Sequence, residues 1–101
     1  MIKATFYRQN DIISGFKVLN HGDEIVCAGV SALVITCVNF IQAKLGVNAF
    51  VEHDPKGGLI HLKLSETTGD AQIILEHLTY GLELIKETYP KEIKISFREE
   101  V

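Results

Sequence analysis

The chain has 101 residues, 47% of them hydrophobic, which suits one domain (residues 1–101) with a real core. Ten Lys and Arg stand against 13 Asp and Glu, a formal net charge of −3 that disfavours a generic binder of nucleic acid or of an anionic membrane surface. The opening "MIKATFYRQN" has no apolar signal-peptide core, and the apolar stretch from Ile25 to Leu45 is interrupted by Ser31, Thr36, Asn39, Gln42 and Lys44, which argues against a membrane span.

"IKATFYR" alternates with Ile2, Ala4 and Phe6 on one face, so residues 2–8 predict a half-buried strand. "QND" supplies turn chemistry. "IISGFKVLN" predicts a second strand, with Ile12, Ser14, Phe16 and Val18 on one side and Ile13, Lys17 and Leu19 on the other. Asp23 is placed as the N-cap of a helix, with Asp23 and Glu24 suited to its positive end. From about Ile25, apolar residues recur at helical spacing to Leu45, and Gly46 is placed just past the helix end. Ala28, Gly29, Ser31 and Ala32 keep its first turns thin enough for a close approach.

"VNAFVEHD" and "GLIHLKLS" predict two further strands joined by a turn at Pro55–Gly58. A second helix is expected from Asp70 to about Tyr89, with Ile73, Ile74, Leu78, Leu82 and Ile85 as its apolar stripe and Pro90 as its stop. "EIKISFR" closes the chain as a strand. The order is β-β-α-β-β-α-β, an α+β fold with helices on a mostly antiparallel sheet.

The chemistry concentrates at "NHGDEIVC". A thiol in the first turn of a helix lies at the positive end of the macrodipole, which favours the thiolate, and a neighbouring imidazole can accept its proton. Helix-start amides can stabilise an oxyanion. Those arguments point to Cys27 with His21; a small buried residue is the other reading of Cys27, and the adjacent Asp23 and Glu24 work against a thiolate. Cys37 falls on the apolar stripe and reads as core. If both cysteines lie on one helix they are roughly 15 Å apart along its axis, too far for a disulfide, which fits a reducing cytoplasmic setting. His53, His61 and His77 read as surface or edge residues. No paired Cys or His motif is present, so neither a metal nor another cofactor is expected. On these residues alone, a non-catalytic protein-binding module and a purely structural dimer stay open beside an enzyme.

Glu24-Ile25-Val26-Cys27-Ala28-Gly29-Val30-Ser31, followed by Val38-Asn39, resembles the helix signature of the bacterial ribosomal-processing cysteine proteases, the Prp family. The opening "MIKATF", the "GG" hairpin and the acidic second helix resemble the family as well. The resemblance implies a cysteine endopeptidase that removes an N-terminal extension from the precursor of a large-subunit ribosomal protein, and that forms homodimers. It places the nucleophile at Cys27, the helix serine at Ser31, and the family's Gly-His pair on Asn20-His21. In this reading His21 is the base of a Cys–His dyad, and Ser31 with the amides around Ala28 holds substrate or oxyanion. One departure is visible: the family has a longer Gly-rich connection between that His and the Cys, whereas here only Gly22 to Val26 intervene. A longer connection, seen as an overlong gap beside His21 and Gly22, is therefore expected.

Overall fold

The structure, a computed structural model, describes residues 1–54, 56 and 58–100. Strand β1 (Ile2–Gln9) leads into β2 (Ile12–Leu19), helix α1 (Glu24–Asn39) with a π-helical turn Phe40–Lys44, strands β3 (Ala49–Asp54) and β4 (Leu59–Leu64), helix α2 (Gly69–Thr88) and β5 (Ile93–Glu99). The expected element order is the observed one. The strands form one sheet in the order β3-β4-β2-β1-β5, antiparallel throughout except for the parallel β1–β5 pair.

The β1–β2 hairpin turns at Asn10 and Asp11, whose positive φ values of 52° and 69° give the primed geometry that matches the sheet's twist. Ile2, Ala4 and Phe6 are buried as the alternation of β1 requires. The face assigned to β2 is corrected at its start. Ile13 is buried and Ile12 exposed, because Tyr7 pairs with Gly15 while Arg8 pairs with Ile13, leaving Ser14 as the extra residue of a bulge. A bulge reverses the period-2 alternation on one side of itself. Gln72 of α2 fastens that end: its amide donates to the Ile13 carbonyl at 2.8 Å and accepts from the Ile13 N–H at 2.9 Å.

One face of the sheet carries the core. Phe6 stacks on Phe97 and meets Phe16 at a tilt, with ring centroids 5.5 and 5.8 Å away, and the buried stripe of α1 (Val26, Val30, Val34, Cys37, Val38) joins the same core. That helix, with its π turn, runs from Glu24 to Lys44 and is long and apolar enough to cross a membrane by length and composition. Here its apolar stripe packs into the core. Of the stripe expected on α2, Leu78 and Leu82 are buried and Ile74 and Ile85 pack against the core; Ile73 instead faces solvent, and Ala71 and Leu75 complete the buried face. The Cβ that Gly81 lacks would lie 2.9 Å from Leu33 Cδ1, so this glycine sets how closely the two helices approach. Of the turn expected at Pro55–Gly58, Pro55 and Gly57 lie outside the described residues; Gly58 has a φ of 67°.

Candidate active site

Asp23 caps α1 as expected. Its carboxylate accepts from the Ile25 N–H at 2.9 Å and the Val26 N–H at 3.4 Å, and its carbonyl accepts from the Cys27 N–H at 2.8 Å. These bonds hold the first turn, and with it Cys27. They also engage the helix-start amides that sequence reasoning assigned to an oxyanion. The Asp23 N–H in turn donates to the Glu92 carboxylate at 3.0 Å.

The connection from His21 to Cys27 is short and continuous, so the expected longer segment is corrected. Asn20, at a φ of 70°, turns the chain out of β2, and Gly22 then folds back so that its N–H points at the Cys27 sulfur, 3.1 Å away. Five residues suffice because the strand end and helix start are already adjacent.

Cys27 is half-buried at the edge of a cavity of about 290 Å³. Ile2, Val18 and Ile60 of the sheet and Val30, Val34 and Ile35 of α1 form its apolar walls; His21, Cys27, Ser31 and His53 supply the polar groups. The cavity thus unites the expected Cys27, His21 and Ser31. Ala28 is exposed and does not line it. The Ser31 hydroxyl makes no hydrogen bond among the described residues, so it is not spent on the i−4 carbonyl of its own helix. The His21 ring does not bond to the thiol directly. Its Nε2 lies 3.3 Å from the Lys56 carbonyl, and the ring lies so close to Gly58 that a Cβ there would sit 2.9 Å from Nε2. A carbonyl only accepts, so a hydrogen bond here requires the proton on Nε2, the tautomer that leaves Nδ1 its lone pair.

His53 reaches the same cavity from edge strand β3, a placement that depends on the sheet order and is invisible in the spacing of histidines along the chain. Alternation in β3 does put it on the face of Ala49 and Val51, the one available signal. His61 lies on the opposite face and His77 on the exposed side of α2. Cys37 is buried, and burial pushes its thiol up to about 12. From the cavity a groove of about 200 Å³ continues between α1 and β3, past Ile35, Val38, Val51 and Ile60.

A sequence model of the family described as "Cysteine protease Prp" matches residues 1–94. The chain belongs to that family. It is similar to the ribosomal processing cysteine protease Prp of Staphylococcus aureus (strain Mu50), at 33% identity over 79 residues, covering 77% of this chain and 74% of the relative. It is also similar to that of Bacillus subtilis (strain 168), at 28% identity over 108 residues, covering 95% of this chain and 96% of the relative. That aligned stretch is longer than this whole chain, so the B. subtilis Prp has residues without a counterpart here. The fold matches the essential S. aureus Prp solved with a covalently linked product peptide, with a TM-score of 0.88 and 30% identity over 97% of this chain and all of that one. A second S. aureus Prp structure, with a substrate peptide, matches with a TM-score of 0.87 at 28% identity, again over 97% of this chain and all of the other. The chain is accordingly a cysteine protease of the ribosomal-processing family.

Proposed function

We propose that this Prp removes the N-terminal extension from the precursor of a large-subunit ribosomal protein, with Cys27 as nucleophile and His21 as base. The observation that carries the reading is the convergence of Cys27, His21 and the unpartnered Ser31 hydroxyl on one cavity. His21 Nδ1 takes the Cys27 proton, with the ring oriented by the Lys56 carbonyl in the place that a carboxylate holds in a triad. The Gly22 N–H steadies the thiolate. The sulfur attacks the peptide carbonyl carbon, and the Ser31 hydroxyl donates to the oxyanion that forms. The C–N bond breaks as the imidazolium protonates the leaving amine. A thioester remains; water, deprotonated by His21, hydrolyses it and restores the thiol. Apolar and aromatic residues before the cut fit the groove between α1 and β3.

In this reading the enzyme works in the cytoplasm as a homodimer. Ile73, Tyr80 and Leu84, which are 63%, 64% and 46% exposed on one side of α2, supply an apolar strip for a second copy. Sedimentation of the protein checks this: a monomer at micromolar concentration excludes it. The test of function is incubation with a peptide spanning the extension junction, followed by mass spectrometry. Wild type should give two fragments, and Cys27→Ser should bind the peptide and leave it whole. Cleavage by Cys27→Ser would remove Cys27 as nucleophile.

A further inference from the structure

Among the described residues nothing covers the sheet face turned away from the helices, and cations are concentrated on it. Alternation sends Lys3, Lys17, Lys63, Lys94 and Arg98 to it, half of the chain's ten Lys and Arg. The strand register sets them side by side. Lys3 pairs with Lys94, Tyr7 stands between Arg98 and Gly15, and Gly15 pairs with Lys63, which pairs with Phe50. Like charges on neighbouring strands repel, so the empty face is electrostatically costly and an anion relieves it. Three acids share this side: Glu52, which pairs with His61, Asp54 on the same edge strand β3, and Glu100, which accepts from the Ser14 hydroxyl at 2.6 Å; the five cations outnumber them.

The helical layer has the opposite sign, since α2 carries Asp70, Glu76, Glu83 and Glu87 against a single Lys86. The overall charge of −3 averages these two layers and conceals both.

Shape adds to charge. A hollow of about 230 Å³ opens on the face, walled by Tyr7, Lys17, His61, Lys63 and Glu100. Phe50 is 56% exposed and meets His61 edge-on with ring centroids 6.1 Å apart. Burial, followed by the charge of Lys17, holds the His61 imidazole below its ordinary range. Cations interleaved with aromatic rings on a flat open sheet form the chemistry that grips phosphates and stacks unpaired bases. An acidic peptide needs the cations and not the rings.

We propose that this open face binds single-stranded RNA, docking the protease on RNA while its cavity, on the other side of the sheet, receives the peptide. The choice of RNA over another polyanion rests in part on the ribosomal-processing function; the binding itself is measured without any cleavage.

The test is fluorescence anisotropy with a labelled oligouridine of about 12 nucleotides. With four or five phosphates neutralised, affinity should fall about 50- to 130-fold between 50 and 200 mM salt. The triple variant Lys17→Gln, Lys63→Gln, Lys94→Gln should bind at least about tenfold more weakly, with a shallower salt dependence and an unchanged thermal midpoint. Cleavage of a short junction peptide should be unaffected by it, since none of the three residues lines the cavity of Cys27. No RNA binding at 50 mM salt, or equal binding by the triple variant, would overturn the proposal. Equally tight binding of polyglutamate of the same length would overturn the assignment to RNA. Loss of peptide cleavage by wild type would sink the protease reading alone and leave the RNA measurement intact.

Discussion

Cys27 lies in the first turn of α1, half-buried, with the Gly22 amide 3.1 Å from its sulfur and a cavity before it. Cys37, further along the same helix, is 5% exposed in the core, and burial pushes its thiol up to about 12. In the proposed mechanism the same side chain serves as a reactive group or as a small hydrophobe according to its depth and distance from the helix start. The largest expected difference is in alkylation. At pH 7 a thiol titrating near 12 is ionised to roughly one part in 10⁵. Iodoacetamide should therefore modify native Cys27 on the order of a thousand-fold faster than Cys37, and mapping of the alkylated peptides over time reads the ratio. Comparable rates would end the contrast.

The second prediction concerns the base proposed for Cys27. His21→Ala should lower peptide turnover by roughly a hundred- to ten-thousand-fold, the usual contribution of a general base, and should slow Cys27 alkylation. His53 lines the same cavity and supplies the control. If His53→Ala loses the larger share of turnover while His21→Ala retains most of it, the base has been misassigned to the strand end.

That control marks where sequence reasoning stopped. The Asp23 cap, the buried face of β1 and the helix carrying Cys27 were legible, because each depends on neighbours within a turn or a strand. The parallel β1–β5 pair, the bulge at Ser14 and the approach of His53 to the cavity were not, because they depend on contacts between residues far apart in the chain. The Lys56 carbonyl behind His21 left no trace either, since a backbone group carries no residue signature. A net charge likewise could not report that five of the ten Lys and Arg gather on one sheet face.

Cys37 should announce itself through alkaline stability. Its thiol is held protonated in the folded chain, to about 12, against an ordinary value of 9.0. Below pH 9 both states keep the proton and the contribution is fully present. Above it the unfolded chain releases a proton that the folded chain retains, so stability falls as pH rises and the contribution is gone once pH passes about 12. The loss is on the order of a few kcal/mol, a sizeable part of the roughly 5–15 kcal/mol typical of a domain. Urea unfolding of wild type and Cys37→Ala at pH 7.5 and pH 10.5 measures it. The variant should start less stable and lose less between the two; parallel losses would show that Cys37 is not the group responsible.

The smallest effect separates the cap from its charge. Asp23 both fixes the turn that carries Cys27 and adds a negative charge at the helix start, two influences with opposite consequences for a thiolate. Asp23→Ala removes the bonds to Ile25 and Val26 and should cost about 1 kcal/mol of stability. Asp23→Asn keeps an oxygen acceptor at the same position and removes only the charge, so stability should change by a few tenths of that while Cys27 alkylation rises by a few-fold at low salt. The rise should fade as salt screens the charge, and Cys37, deep in the helix, should label no faster in either variant. Slower labelling of Cys27 in Asp23→Asn would mean that the carboxylate, rather than opposing the thiolate, holds the helix start in the geometry on which its reactivity depends.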